Sequence, residues 1–345
     1  MGEADSGPPG HLIPKVVAAE PALARFTMKQ LGSELHARLR AGAIAPSDDR
    51  FDDDVEGLAA LGRELLLRLD VDSDRFSRSN AAIRFEAYWG GDSFGPTSLK
   101  DETVVELGCG NRNPLSVMFI FVMLGARRAI GVDLDGVTDV PEAVRALARC
   151  GGWMLTDPKL LVRSFPITRE QVAAYLAATR FDLAKLFAGD PSGVDRGRLD
   201  LRQESAAQLG FGDGEVDLCC SSTFLEHVPD VDAVIAEMAR VTKRGGRGVH
   251  IIDTVDHRSY LDAKVRPLQF LETRTTDPIV FGCNRMRPQS FEPVFERHGL
   301  EVKRTHVWRR HEVDAATRAR FVEPWRSMAC EDLSRTGVTI WVRRR

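Results

Sequence analysis

The segment that most constrains the fold is DETVVELGCGNRNPL, at residues 101–115. Its β-branched part, TVVEL, is typical of a buried strand, and the two glycines that follow predict a tight turn. Asn113 is a favoured N-cap and proline suits the first helical position, so we predict a helix from Pro114 to Gly125. A strand, a glycine turn and a helix in this order are typical of the first unit of a nucleoside-binding α/β sheet.

A second strand is predicted at RRAIGVDLD, with Asp133 at its end, 23 positions beyond Gly110. Glycines allow a ligand to approach the backbone, and an acid at the tip of the next strand accepts hydrogen bonds from ribose hydroxyls. The dinucleotide fingerprint would have a third glycine at position 113, where this chain has Asn113. The spacing therefore favours a nucleoside held by Asp133 over a pyrophosphate-containing dinucleotide.

These motifs resemble a known family. VVELGCG followed by AIGVDLD resembles the first two motifs of class I S-adenosylmethionine-dependent methyltransferases, and LGFGDGEVDLCCSSTFLEHVPD is similar to the fourth strand and the turn after it. The resemblance extends over about residues 102–256. It implies a Rossmann-like α/β fold with a seven-stranded, mostly parallel sheet, an antiparallel last strand, and S-adenosylmethionine as the methyl donor. The alternatives are an NAD-dependent oxidoreductase and a non-catalytic binding subunit of the same fold.

The resemblance also implies a cofactor site. It places Glu106, Gly108 and Gly110 around the methionine part of the cofactor, Asp133 on the ribose and Leu134 beside the adenine. The adenine-contacting acid of the family is replaced here by Ser205, for which Glu204 is an alternative. The competing interpretation is that the glycines only shape the turn and that Asp133 caps the next helix. The implied cofactor-binding residues are Glu106, Gly108, Cys109, Gly110, Asp133, Leu134, Ser205, Ala206 and Ser221.

Three residues are predicted to act in catalysis. Methyl transfer requires an acceptor held in line and, where the acceptor starts protonated, a base. His227 follows the predicted fourth strand, and His257 follows the fifth with Asp256 beside it to orient the ring. His227 could equally anchor its loop by bonding a backbone carbonyl.

The segment HIIDTVDH contains four residues of metal-ligating types: His250, Asp253, Asp256 and His257. Strand alternation places His250 and Asp253 on opposite faces, so no metal site is predicted. We expect His250 to be a hydrogen-bonded core residue. Further along, Arg285 and Arg287 precede a predicted helix, where they would meet an anionic substrate or, as is more usual for loop arginines, be solvated.

The segment at residues 139–200 is longer than the single helix and short connection that a compact member of this family needs at this position. Thr168 and Gln171 have capping-box spacing, before what is predicted as an uninterrupted helical run. Open α/β sheets bind ligands at the carboxyl ends of their strands, so we predict that this insertion is a substrate lid. A larger core or a homodimer contact is the alternative.

Residues 1–97 are predicted to be a flexible leader and a helical cap, with amphipathic helices between residues 16 and 70. Residues 98–345 are the predicted methyltransferase domain. After Gly299, which should stop a helix, we predict a sixth strand and a closing strand at GVTIWVRR.

Composition narrows the function further. A net charge of −3 lacks the basic excess of a nucleic-acid binder. The longest apolar run, PLSVMFIFVMLGA, is shorter than the roughly 20 residues that span a bilayer, so it is predicted to be a buried helix. The six cysteines contain no CxxC pair, which favours a reducing cytoplasm over a disulfide framework. The expected partner is a small-molecule acceptor, such as a secondary metabolite or a sugar-derived intermediate, without nucleic acid or membrane.

Overall fold

A computed structural model describes the chain from residue 99 onward with short gaps, together with a few helical positions before it. The described residues are 81, 84–86, 88–89, 99–111, 114–163 and 165–345. The helices predicted between residues 16 and 70 and the predicted N-cap Asn113 lie outside this set. Two compact units are present: one contains residues 110–129 and 137–200, and the other contains residues 102–109, 130–136 and 201–345.

The sheet has seven strands in the order β3-β2-β1-β4-β5-β7-β6. β1 and β4 pair in parallel, as do β4 and β5, whereas β7 is antiparallel to both β5 and β6. The predicted sheet with its antiparallel last strand is confirmed. The strands are β1 Thr103–Leu107, β2 Arg128–Asp133, β3 Leu199–Gln203, β4 Val216–Ser222, β5 Thr242–Asp253, β6 Leu300–Arg310 and β7 Arg335–Arg344.

The described α-helices lie in the connections between strands: one after β1, three after β2, one each after β4 and β5, and two after β6. They are α1 Ser116–Met123, α2 Val140–Thr156, α3 Arg169–Ala177, α4 Leu183–Ala188, α5 Val231–Val241, α6 Pro288–Arg297, α7 Ala315–Ala319 and α8 Cys330–Ser334. α5 and α6 pack on the sheet through Ile235, Met238, Phe291 and Phe295, which join Val105, Ile130 and Ile340 in one buried core. Within the described residues, no helix has both the length and the apolar character needed to cross a membrane.

The apolar run forms a buried helix, as predicted. All eight residues of α1 are buried, which is how a helix that is apolar on every side must be placed. It begins at Ser116, two residues after the predicted start at Pro114. Gly125, the predicted stop, has φ +101°, and a Cβ there would lie 2.8 Å from the Tyr175 ring. Gly125 is thus required both for its backbone conformation and for the approach of Tyr175.

The inserted segment contains α2, α3 and α4. The capping box is confirmed, since Gln171 N–H donates to Thr168 Oγ1 at 3.3 Å and Thr168 N–H donates to Gln171 Oε1 at 2.9 Å. The prediction of an uninterrupted helix is wrong, because α3 ends at Ala177 and α4 starts at Leu183. Asp182 caps α4 by accepting a hydrogen bond from Lys185 N–H at 3.1 Å.

The expectation of solvated loop arginines is also wrong. Arg287 is buried and donates to the carbonyl oxygen of Thr254 at 2.7 Å, to Thr254 Oγ1 at 2.7 Å and to the carbonyl oxygen of Arg335 at 3.2 Å. It therefore ties the end of β5 to the start of β7. Arg285 is buried too, where it donates to Thr273 O at 2.8 Å and stacks over the Trp325 ring.

Candidate functional site

The glycine turn after β1 is hydrogen-bonded to β2. The N–H groups of Gly108 and Cys109 both donate to the carbonyl oxygen of Val132, at 2.9 and 3.3 Å. Gly108 has φ +67° and Gly110 has φ +84°, a conformation in which a side chain is strained. Because Val132 is the neighbour of Asp133, these bonds place the turn beside the acid that was predicted to hold the ribose.

The two glycines differ in what surrounds them. A Cβ on Gly110 would meet no atom of the described residues within 4 Å. A Cβ on Gly108 would lie 2.3 Å from Cδ2 of Phe224, so the group that approaches this glycine is a ring of the protein itself. Gly108 is therefore needed for internal packing, whereas no described side chain packs against Gly110 in this way.

Asp133 lies at the carboxyl end of β2 and is partly exposed. Its Oδ1 accepts a hydrogen bond from Asp135 N–H at 3.0 Å. The alternative role of capping the next helix is wrong, because the N-cap of α2 is Asp139, whose side chain accepts from Glu142 N–H at 2.9 Å. The helix-capping explanation no longer competes with the ribose assignment.

The other predicted cofactor residues have varied surroundings. Glu106 is fully buried in β1, and Cys109 is buried in the turn. Leu134 is 68% exposed, which suits a side chain that covers a flat ring. Ser205 Oγ accepts a hydrogen bond from Ala207 N–H at 3.3 Å, next to the buried Ala206. The alternative acceptor Glu204 already accepts from Gly210 N–H at 2.9 Å.

Ser221 is placed differently from a ligand-facing residue. It is fully buried in β4, and its Oγ lies 2.9 Å from Nδ1 of His250 on β5. Burial lowers the pKa of His250 to about 3, so the ring is neutral in the folded protein. The prediction that His250 is a hydrogen-bonded core residue is confirmed, and its partner is Ser221.

The predicted catalytic histidines lie together at the carboxyl edge of the sheet. β4 and β5 are parallel and end at the same edge, so the short 3-10 turns after them bring His227 and His257 together, with ring centroids 4.8 Å apart. His227 Nδ1 lies 2.6 Å from the carbonyl oxygen of Gly282. The loop-anchoring bond considered for His227 is therefore present.

The predicted Asp256–His257 pair is not formed. Asp256 is buried, caps the turn at Arg258 N–H and binds the Arg258 guanidinium through both oxygens, at 3.0 and 2.6 Å. His257 Nε2 instead lies 3.3 Å from the carbonyl oxygen of Asp253. Burial, and then the neighbouring His227, lower the pKa of His257, so its neutral form is favoured. The orientation of His257 comes from a backbone carbonyl because Arg258 engages the Asp256 carboxylate.

Asp253 forms the charged centre of the same edge. Arg309 of β6 contacts its two carboxylate oxygens at 3.1 and 2.9 Å, and the Tyr260 hydroxyl hydrogen bonds to both Asp253 and Arg309. Burial, with the bond to Asp253, raises the pKa of Tyr260 to about 12. The Tyr260 ring lies 5.5 Å from that of His257, so these side chains form one continuous polar surface.

Two further residues of this edge were not identified from the sequence. Cys283 is fully buried, and its Sγ lies close to His227 and His257. Glu226 is almost fully buried, and its Oε1 accepts from Asp253 N–H at 3.1 Å. Burial raises the pKa of Glu226 well above its usual range. The family-like Leu-Glu-His-Val motif could have drawn attention to Glu226, whereas no sequence signal links Cys283 to residues more than twenty positions away.

The comparison with protein families agrees with this geometry. Residues 169–249 match the family model described as a methyltransferase domain. The match covers α3, α4, β3, β4, α5 and most of β5, a part of the region in which the sequence motifs predicted a methyltransferase fold. The glycine turn lies outside the matched residues.

Curated relatives match short parts of the chain. An uncharacterized methyltransferase of Mycobacterium sp. (strain JLS) is 51% identical over 45 residues, which are 13% of this chain and 18% of that protein. A ubiquinone biosynthesis O-methyltransferase of Chelativorans sp. (strain BNC1) is 32% identical over 97 residues, 28% of this chain and 35% of that protein. The chain thus spans only about a fifth to a third of the length of these relatives.

Among solved structures, a geranyl diphosphate methyltransferase in complex with S-adenosylmethionine has a TM-score of 0.42 and 17% identity. The alignment covers 82% of this chain and 90% of that one.

Proposed function

We propose that this chain, which carries a methyltransferase domain, transfers the methyl group of S-adenosylmethionine to a small-molecule acceptor. The observation that carries the proposal is the glycine turn bonded to Val132 beside Asp133, in a sheet of the order β3-β2-β1-β4-β5-β7-β6. The turn brings the backbone of Gly108 and Cys109 beside a carboxylate suited to ribose hydroxyls.

The residues at this site suit S-adenosylmethionine as the cofactor. When bound, S-adenosylmethionine supplies a methyl group that is already activated by its sulfonium. Asp133 would accept hydrogen bonds from the ribose, and the exposed Leu134 would cover the adenine. Ser205 and Ala206, near the end of β3, would border the adenine on its other side, and the buried Glu106 would lie towards the methionine part.

The acceptor is proposed to bind at the edge occupied by His227 and His257. The protein has to hold the acceptor in line with the methyl group, exclude water and remove a proton where the nucleophile carries one. Each histidine has one ring nitrogen bonded to a backbone carbonyl, which fixes the ring and leaves the other nitrogen to accept a proton. The acceptor class that we propose, a secondary metabolite or a sugar-derived intermediate, is supported by a net charge that does not favour polyanions.

Calorimetric titration with S-adenosylhomocysteine and with NAD tests the proposal. We expect binding of S-adenosylhomocysteine and none of NAD, and the reverse result would indicate an oxidoreductase. Binding of neither would favour a subunit without catalytic activity. A screen of metabolite mixtures for methylated products would then identify the acceptor.

The Asp133→Ala variant tests the site itself. Removing a charged hydrogen-bond acceptor should weaken S-adenosylhomocysteine binding by about 1.5–3 kcal/mol. Asp135→Ala is the matched control, since Asp135 is an exposed neighbour whose backbone N–H, retained in that variant, bonds Asp133. Equal affinity in wild type and a folded Asp133→Ala variant would remove Asp133 from the cofactor site.

A further inference from the structure

We infer that His227, His257 and Cys283 form a binding site for a divalent transition metal of the Zn²⁺ class. One ring nitrogen of each histidine and the cysteine sulfur all lie within 4.8 Å of one another. The three residues come from separate segments: the turn after β4, the turn after β5 and the loop before α6. The fold, and not a local sequence motif, brings these ligand types together.

The spacing is close to that of a bound ion. Tetrahedral Zn²⁺ has Zn–N distances of about 2.0 Å and a Zn–S distance of about 2.3 Å, so its ligand atoms lie roughly 3.3–3.6 Å apart. The widest pair in the cluster, at 4.8 Å, therefore has to close by about 1.2–1.5 Å. His227 is exposed and ends the short 3-10 turn Leu225–His227, so a small shift of this turn can supply that movement.

The hydrogen bonds of the two histidines match those of metal ligands. A carbonyl oxygen can only accept, so the ring nitrogens that contact Gly282 O and Asp253 O must carry the hydrogens. In the neutral ring the other nitrogen then has a free lone pair. Metal-bound histidines usually donate their second N–H to a carbonyl or carboxylate in this way, which fixes the tautomer and the ring orientation.

Three carboxyl groups lie near the cluster. The carboxyl groups of Glu226, Asp256 and Asp253 all interact electrostatically with the Cys283 thiol. Asp253 and Asp256 are paired with arginines, whereas Glu226 Oε2 is buried without a hydrogen-bond partner among the described residues. Two imidazoles and a thiol select a borderline ion such as Zn²⁺ over Mg²⁺ or Ca²⁺, which prefer oxygen ligands.

Three protein ligands leave one coordination position for another molecule, as in catalytic zinc sites. The site lies at the sheet edge where the acceptor is proposed to bind. In the metal-loaded protein the histidine nitrogens would be ligands and not bases, and a hydroxyl or thiol acceptor bound to the metal would lose its proton more readily, as metal-bound water does. This catalytic role rests on the proposed methyltransferase function, whereas metal binding itself does not.

Titration of the full chain with Co²⁺, followed by displacement with Zn²⁺, tests the inference. We expect one ion per chain, visible bands typical of tetrahedral Co²⁺ and a near-ultraviolet thiolate-to-cobalt band. Excess Mg²⁺ or Ca²⁺ should displace neither ion. Failure to bind Co²⁺ and Zn²⁺, or a spectrum without the thiolate band, would overturn the site whether or not S-adenosylhomocysteine binds.

Variants identify the ligands. Loss of a group that hydrogen-bonds to a metal ligand usually weakens metal binding about 10- to 100-fold, so loss of the ligand itself in His227→Ala should weaken binding at least about 100-fold. His306→Ala is the matched control, because His306 is an exposed histidine on β6. Cys283→Ser should abolish the thiolate band, and Cys330→Ser should retain it.

Because Cys283 is buried, its variant can lose stability, and X-ray absorption of the wild-type zinc complex supplies an independent measurement. One sulfur and two imidazole nitrogens per zinc are expected. A shell of oxygen atoms alone, or a His227→Ala variant with wild-type affinity, would contradict the inference.

Discussion

Gly108→Ala should destabilise the protein much more than Gly110→Ala, although both glycines have positive φ in the same turn. An L-residue in this conformation costs about 1–2 kcal/mol at either position. At Gly108 the new Cβ would also lie 2.3–2.8 Å from three carbon atoms of Phe224, and such overpacking typically costs a further 1–3 kcal/mol or so. We therefore expect losses in the free energy of unfolding of about 2–5 kcal/mol for Gly108→Ala and about 1–2 kcal/mol for Gly110→Ala.

A double-mutant cycle with Phe224→Ala isolates the packing contribution. Phe224 is only partly buried, so its truncation leaves room for the new methyl group. In that background Gly108→Ala should cost no more than the backbone strain, about 1–2 kcal/mol. Urea unfolding monitored by tryptophan fluorescence measures all four proteins. The reasoning would be refuted if the two glycine substitutions lowered the free energy of unfolding equally. It would also be refuted if the loss for Gly108→Ala were the same with and without the Phe224 ring.

Three further predictions concern the insertion and the histidines. Amide hydrogen exchange around residues 150–190 should slow when cofactor and acceptor bind, and unchanged protection would mean that the insertion is not a lid. His257→Ala should slow turnover by about 10²- to 10⁴-fold and leave the affinity for S-adenosylhomocysteine nearly intact. The same assay on His227→Ala shows which histidine takes the proton. Near-normal turnover in both variants would exclude a histidine base. Since the pKa of His250 is about 3 when folded and 6.5 when unfolded, only the unfolded chain gains this proton between those values. The contribution of His250 to the free energy of unfolding should therefore be fully present above pH 6.5 and fall by about 1.4 kcal/mol per pH unit below it. The same pH dependence in a His250→Gln variant would contradict this origin.

The elements that the sequence predicted best are those with strong local signals. The strand before the glycine turn, the buried α1, the capping box at Thr168 and the helix stop at Gly299 all follow from neighbouring residues, and all are present. The predicted continuous helix after Thr168 failed for a local reason as well. Asp182 can cap a new helix, and its carboxylate does so at Lys185.

The candidate site shows a different limit. The sequence assigned Asp256 to His257 because the two are neighbours, but the Asp256 carboxylate binds Arg258 and the ring contacts a backbone carbonyl. Arg287 was expected in solvent, yet the loop buries it where three oxygens accept its hydrogen bonds. Adjacency in sequence does not fix which partner a long or rotatable side chain reaches.

The sequence by itself determined the α/β class, the succession of its main strands along the chain and the placement of glycines and an acid at one turn. These features depend on backbone preference and on hydrophobic periodicity, which act over a few residues. The tertiary structure alone decided that Phe224 covers Gly108, that Ser221 bonds His250, and that Cys283 joins His227 and His257. Those contacts join residues distant in the chain, and their geometry depends on how parallel strands and their loops converge at one edge of the sheet.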